Sequence, residues 1–305
     1  MSDNRPYNPY RPPENSLIDP QFEPYLREQP RLTYASSEQP WVTRQITRSI
    51  ERALGRARLE RHYFALKARG LSSQTFFQEA LLRSGIKLHA DFSPLEQIDR
   101  GRPLLFLANH PFGVLDGLVM CNLALKVASD FRVVINSLLC QDRELAQHFL
   151  PIDFSGGRAA ERRNVRTKQL AGESLSNGIP LILFPSGTVS TANRLGFGTV
   201  KESTWTTFAA KLIRQHNPTV VPVFFHGRNS RSFHVASHIA EPLRMAMLMR
   251  EALRRFNSTV ELDIGKPVAP VDYQHLTSRQ QLTAFFYDRV QEAGQGTTHQ
   301  STASN

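Results

Sequence analysis

The chain has 305 residues, with 37 Lys+Arg against 27 Asp+Glu, so it carries a formal net charge of +10 and a sequence pI near 10.0. Hydrophobic residues at 40% and charged residues at 21% form a globular composition that excludes a wholly disordered chain, and 19 Pro with 17 Gly but no G-x-y period exclude a collagen-like scaffold. Two cysteines, Cys121 and Cys140, are too few for a disulfide framework and no Cys/His spacing suits zinc, so a reduced, cytosolic compartment and no metal site are expected.

The longest apolar runs are about six residues where a spanning helix needs roughly twenty, and the polar, Pro-rich start lacks the apolar core of a signal peptide. The positive excess calls for an acidic partner: nucleic acid, an anionic membrane surface or an acidic carrier protein.

Residues 1–40 hold six acids, four arginines, many prolines and isolated aromatics (Tyr7, Tyr10, Phe22, Tyr25, Tyr34), and read as an extended arm. Residues 41–84 read as a basic helical segment. Within it, Trp41 to Arg69 carries eight Lys+Arg against two Glu, and Arg44, Arg48, Arg52 and Arg56 recur every fourth residue along one stripe. Ile46, Ile50, Ala53, Leu54 and Ala57 fall on the other side. Such a helix either lies on an anionic surface through Trp41 and the arginines or packs on the body with the arginines solvated. A second helix is expected over Ser73–Arg83.

From there the text alternates. Leu104–Ala108, Phe131–Ile135, Ile179–Phe184, Val220–Phe225 and Val260–Ile264 are short apolar runs separated by helical patterns at Arg163–Leu175 and Thr204–Gln215, with a closing helix near Arg279–Gln291. Apolar strands alternating with helices predict an α/β fold with a mixed, largely parallel sheet covered on both faces. Residues 85–291 form that domain, and 292–305, rich in Gly, Ser, Thr and Gln, read as a disordered tail.

In open α/β sheets ligands gather beyond the C-terminal ends of the strands. The first apolar run passes directly into Asn109-His110-Pro111-Phe112-Gly113-Val114-Leu115-Asp116-Gly117. On an unbroken helix six residues turn through about 240°, which would part His110 from Asp116. Pro111 and Gly113 permit a tight turn that brings the imidazole over the start of the next helix, where Asp116 accepts from one ring nitrogen and leaves the other as a base. Three further strand ends carry polar or Gly/Pro text. These are Phe184-Pro185-Ser186-Gly187-Thr188, then His226-Gly227-Arg228 after Val221-Pro222-Val223, and Pro151-Ile152-Asp153 with Arg158.

These blocks resemble the glycerolipid acyltransferases of the lysophosphatidic-acid acyltransferase type, and most of all their bacterial hemolysin-like branch, which includes lyso-ornithine-lipid acyltransferases. The resemblance covers roughly residues 85 to 270. Asn109-His110-Pro111 through Asp116 matches the His/Asp signature. Phe184 to Thr188 matches the Phe-Pro-Glu-Gly-Thr block, Val221-Pro222-Val223 the Val-Pro-Val block, and Pro151-Ile152-Asp153 with Arg158 a diverged Phe-Asp-Arg block. Five residues rather than the widespread four separate His110 from Asp116, a spacing shared with the hemolysin-like branch. Ser186 and Val189 stand where the family carries a Glu and often an Arg that help hold the acceptor's phosphate.

The resemblance implies transfer of a fatty acyl group from an acyl-carrier-protein or coenzyme-A thioester to a lysolipid hydroxyl, with no other cofactor. His110 is then the general base and Asp116 its orienting acid. Asn109, Arg158, Ser186, Gly187, Thr188, His226 and Arg228 are candidate substrate contacts. Apart from the resemblance, Pro185 and Gly187 directly after a buried strand free backbone N–H groups, and those near Gly187 and Thr188 are expected to face the oxyanion. The expected place is cytoplasmic, peripheral on the inner face of the membrane, with no nucleic-acid partner. Two other readings stay open: a serine hydrolase using Ser186, although the Gly-x-Ser-x-Gly elbow is missing, and a non-enzymatic basic membrane- or nucleic-acid-binding protein, for which no zinc-finger or RNP-type text is present.

Overall fold

The computed structural model describes residues 18–31, 33, 35 and 40–296. Its centre is strand β2 (Leu104–Ala108), whose five residues are all buried. Leu104, Phe106 and Ala108 pack into one apolar layer, and Leu105 and Leu107 into the other. A strand apolar on both faces needs cover on both faces. Helices α3 (Ser73–Arg83) and α4 (Val114–Val127) supply it on the first face. Helices α5 (Gly157–Ser176), α6 (Phe208–His216) and α10 (Arg279–Ala293) supply it on the second.

Seven strands among the described residues form one sheet. With β1 (Lys87–His89), β3 (Arg132–Asn136), β4 (Phe149–Ile152), β5 (Leu181–Leu183), β6 (Thr219–Phe225) and β7 (Thr259–Ile264), the order is β1-β7-β6-β2-β5-β3-β4. Every pairing is parallel except β6 with β7. This is the mixed, largely parallel α/β sheet expected. β2 lies between β5 and β6, with Leu105 opposite Leu181 on one side and Ala108 opposite Val223 on the other, so all three strands end at the same rim.

The remaining helices are α1 (Trp41–Ala53), α2 (Arg56–Lys67), α7 (Arg231–Ser237), α8 (Glu241–Arg254) and the short α9 (Pro270–Tyr273). Helix α8 packs against α1, α2, α4 and α7, forming a layer over the start of α4.

The structure corrects several boundaries. Trp41 to Arg69 is not one helix: Gly55 sits at φ +100° and splits it into α1 and α2, and a Cβ there would come within 2.6 Å of Leu253 Cδ1. Strands β1 and β4 had no expectation, being three and four residues long. β4 contains Pro151 and lies at the sheet edge, where a missing N–H is tolerated. Pro151-Ile152-Asp153, read from the sequence as lying after the Phe131 run, therefore ends its own strand. Helix α6 begins at Phe208 rather than near Thr204, α5 begins six residues before Arg163, and α10 runs through Glu292 and Ala293 into the expected tail.

In the described part of the arm, Phe22 is buried in the second apolar layer and Tyr25 donates to Asp153 Oδ2 at 2.6 Å. Tyr7, Tyr10 and Tyr34, like residues 297–305, lie outside the described residues. Asp153 also accepts from Arg163 Nη2 at 2.7 Å and Ser155 Oγ at 2.6 Å. Burial alone would raise its pKa, but the hydrogen bonds from Ser155, Tyr25 and Arg163 outweigh burial and hold the carboxyl far below the usual range. A carboxylate depressed in the folded state stabilises the fold above its unfolded value and loses that contribution as pH falls below it. Asp153→Asn is therefore expected to cost about 3 kcal/mol at pH 7. Urea unfolding should show the gap to wild type narrowing as pH falls below about 4.

Candidate active site

Beyond Ala108 the chain turns at Pro111, and Gly113 (φ +85°) caps α4. Non-glycine residues are strained at that φ, and a Cβ would meet Leu248 Cδ2 at 3.1 Å and Val189 Cγ2 at 3.2 Å. The turn places Asp116 in the first turn of α4 with 0% exposure, where Asp116 Oδ2 accepts the backbone N–H groups of Phe112 (2.8 Å) and Gly113 (3.0 Å). A carboxylate there also gains from the helix dipole. The same oxygen lies 2.9 Å from His110 Nδ1. The approach is off the line of the ring N–H, so the pair is close without being an aligned hydrogen bond; such bonds commonly tighten only once substrate is bound. His110 Nε2 has no partner among the described residues and faces away from Asp116, in a side chain 17% exposed.

The block after β5 wraps around this imidazole. Phe184 stacks on the His110 ring with centroids 4.1 Å apart and planes at 28°. The His110 carbonyl accepts from Ser190 N at 2.8 Å and Ser190 Oγ at 3.2 Å, while its N–H donates to Glu202 Oε1 at 3.1 Å. Glu202 also accepts from Trp205 Nε1 at 3.2 Å. Burial raises the Glu202 pKa, against the opposing pull of Trp205, the His110 N–H and charge, and the nearby Ser186 hydroxyl. Glu202 thus places a second carboxylate beside His110. Sequence reasoning missed it because it lies in an irregular segment with no periodic signal.

The structure distributes the other expected residues unevenly. Ser186 is buried and its hydroxyl donates to Thr188 O at 3.1 Å, so it belongs to the turn. The Gly187 N–H is taken by Phe184 O, which leaves Thr188 N–H as the donor of the two that the turn does not use among the described residues. Thr188 Oγ1 meets Ser203 Oγ at 2.7 Å. Asn109 spends both ends of its amide on the backbone of Phe225, donating to its O at 3.0 Å and accepting from its N at 2.7 Å, and so joins β2 to β6 beyond their last paired residues. His226 follows directly, and its ring Nε2 binds Asp263 of β7. Arg228 is exposed and donates to Gly198 O. Arg158 is exposed in the first turn of α5, beyond β4. That strand lies three positions from β2, about 14 Å across the sheet.

Of the four arginines, three on α1 and Arg56 at the start of α2, only Arg52 is exposed. Arg44 and Arg48 line a cavity against Arg27, Arg31 and Leu138, and Arg56 pairs with Glu51 (3.2 Å) and Glu60 (3.6 Å). Trp41, Val42 and Ile46 point outward at 65%, 57% and 56% exposure, while Thr47 and Glu51 are fully buried. Cys121 and Cys140 are buried, and burial pushes both thiols well above the usual range, which removes them as nucleophiles.

A His/Asp pair, an open ring nitrogen and an apolar ring stacked on the imidazole form a base suited to deprotonating a hydroxyl. A family profile described as "Acyltransferase" matches residues 39–285. The chain belongs to this acyltransferase family. The resemblance read from the sequence blocks is borne out at that level, and the protein is an enzyme of acyl transfer. It is 31% identical over 204 residues to a lyso-glycine lipid O-acyltransferase of Phocaeicola vulgatus, covering 64% of this chain and 70% of that one. It is 28% identical over 182 residues to a protein of the same name from Bacteroides thetaiotaomicron, covering 57% of this chain and 64% of that one, just under two thirds of its length. Among solved structures, the 1-acyl-sn-glycerophosphate (LPA) acyltransferase of Thermotoga maritima is similar at 19% identity and a TM-score of 0.49, over 78% of this chain and 82% of that chain.

Proposed function

We propose that this acyltransferase moves a fatty acyl group from a thioester of acyl carrier protein or coenzyme A to the hydroxyl of a lysolipid bearing an amino-acid head group. The observation that carries the reading is the open Nε2 of His110, backed by Asp116 at the rim of the central strand. Nε2 takes the proton of the acceptor hydroxyl as its oxygen attacks the thioester carbonyl. Asp116 fixes the tautomer and stabilises the imidazolium that forms. Collapse of the tetrahedral intermediate breaks the C–S bond, and the imidazolium returns its proton to the leaving thiolate. The Thr188 N–H is the donor we assign to the developing oxyanion.

The acceptor class is supported from two sides. Both curated relatives are named for lyso-glycine lipid, and Ser186 and Val189 replace the charged residues expected around a glycerol phosphate. Since no helix among the described residues is long and apolar enough to cross a membrane, we place the enzyme peripherally, on the inner leaflet, through the exposed apolar side of α1.

Parallel assays with one thioester donor and lyso-glycine lipid, lyso-ornithine lipid or lysophosphatidic acid test the acceptor. An amino-acid lysolipid is expected to exceed lysophosphatidic acid by at least about tenfold in kcat/KM. A preference for lysophosphatidic acid would overturn it.

A further inference from the structure

Arg255, at the C-terminal end of α8, is a cation that the mechanism above does not use. It lies over the ring of Phe112, with its guanidinium carbon 4.2 Å from the centroid, and Phe112 is the residue whose N–H is bound by Asp116. Its Nη2 donates to Arg228 O at 2.7 Å. The turn after β6 closes the group: a Cβ on Gly227 would lie 2.9 Å from Phe112 Cζ and 3.8 Å from Arg255 Nη2.

Arg255 is half-buried, yet it makes no ion pair among the described residues, and no acceptor there takes its Nε or Nη1. The two acids that attract it are already committed. Glu251, one turn earlier on α8, accepts from Ser230 N at 2.9 Å and from Ser230 Oγ, and Asp116 serves the α4 turn and His110. Burial lowers the Arg255 pKa, opposed by the attraction of Glu251 and Asp116, so the guanidinium stands within electrostatic reach of the catalytic pair. Arg228 and Arg254, both exposed, add positive charge at its edge.

A partly desolvated cation, fixed by an aromatic face and a backbone carbonyl and left with open planar donors, has the form of an oxyanion receptor. We propose that Arg255 is the core of an anion subsite beside the His110–Asp116 pair, receiving a carboxylate or phosphate carried by a substrate. The acceptor's head group and the phosphates of the thioester donor share that chemistry. The inference rests on the acyl-transfer reading and adds a specificity residue outside the four sequence blocks.

The test is a ratio within each protein. Wild type, Arg255→Gln and Arg255→Lys are assayed on a carboxylate-bearing lysolipid and its methyl ester, with acyl-CoA and with the acyl thioester of N-acetylcysteamine, which has no phosphate. Arg255→Gln is expected to cut the preference for the free acid, or for the phosphorylated donor, by about 10- to 100-fold, as loss of a charge-assisted hydrogen bond does. Arg255→Lys should restore part of it. Collapse in the acceptor arm assigns the subsite to the head group, and collapse in the donor arm to the donor. A partly misfolded variant loses activity on all substrates alike and leaves the ratios unchanged. If both ratios stay at wild-type values in folded Arg255→Gln, the subsite does not exist. Absence of transfer by wild type itself would instead overturn the acyl-transfer reading.

Discussion

His110→Ala is expected to lower the rate of acyl transfer by about 10³- to 10⁴-fold while the protein stays folded, since it removes the group that takes and returns the proton. The imidazole is held by its backbone, through Glu202 and Ser190, and by stacking on Phe184, so truncation leaves the surrounding turn its own hydrogen bonds. Asp116→Asn tests a different step. One oxygen, Oδ2, faces Phe112 N, Gly113 N and His110 Nδ1, so an amide oxygen in its place keeps those three contacts but removes the negative charge that stabilises the imidazolium. A loss of similar size is expected, by analogy with the acid of a Ser-His-Asp triad. Both variants are to be checked by circular dichroism and single-turnover transfer. Near wild-type turnover in folded His110→Ala would remove the assignment.

The geometry behind this expectation was legible because it rests on neighbouring strands. A buried five-residue run ending in Asn-His-Pro, with a Gly able to turn the chain, already implies the His/Asp approach. The Phe184 block reaches the same place because β5 runs parallel beside β2 and ends at the same rim. The Arg158 block was harder to place because nothing in it reveals that β4 is the far edge strand, three positions away. Strand order is set by long-range pairing, which local text does not encode. Glu202 escaped for a related reason. It reaches the His110 backbone from an irregular loop whose local pattern reads the same whether its side chain faces solvent or His110.

Helix α1 shows how a pattern can be read correctly and still be placed the wrong way round. Period four in the arginines and apolar residues opposite them describe an amphipathic helix, but not which side meets the body. Here the body side takes Thr47 and Glu51, and Glu51 is held by Thr33 at 2.6 Å and by Arg56. Arg56, at the start of α2, pairs with that buried carboxylate, and Arg44 and Arg48 line the cavity under the arm.

On the peripheral placement proposed above, the outward side, Trp41, Val42 and Ile46, is what α1 would offer to a membrane, with Arg52 as its exposed charge. This changes which variants are informative. Reversing Arg56 to Glu would break ion pairs inside the protein, and reversing Arg44 or Arg48 would disturb the cavity under the arm, so loss of vesicle binding in such variants would say little about the membrane. Replacing Trp41, Val42 and Ile46 with Ser removes only exposed apolar surface. Partial insertion of three such side chains contributes about 3 kcal/mol, so the triple variant is expected to bind anionic vesicles about a hundredfold more weakly, with unchanged thermal unfolding. Arg52→Glu alone should weaken binding by roughly 1–2 kcal/mol at low salt, and the effect should fade as salt is raised. Both should keep transfer activity on a detergent-dispersed acceptor, because the replaced side chains are exposed on a helix that packs on α2 and α8. If the triple Ser variant sedimented with vesicles like wild type, attachment would have to run through another surface and the exposed side of α1 would be no membrane anchor.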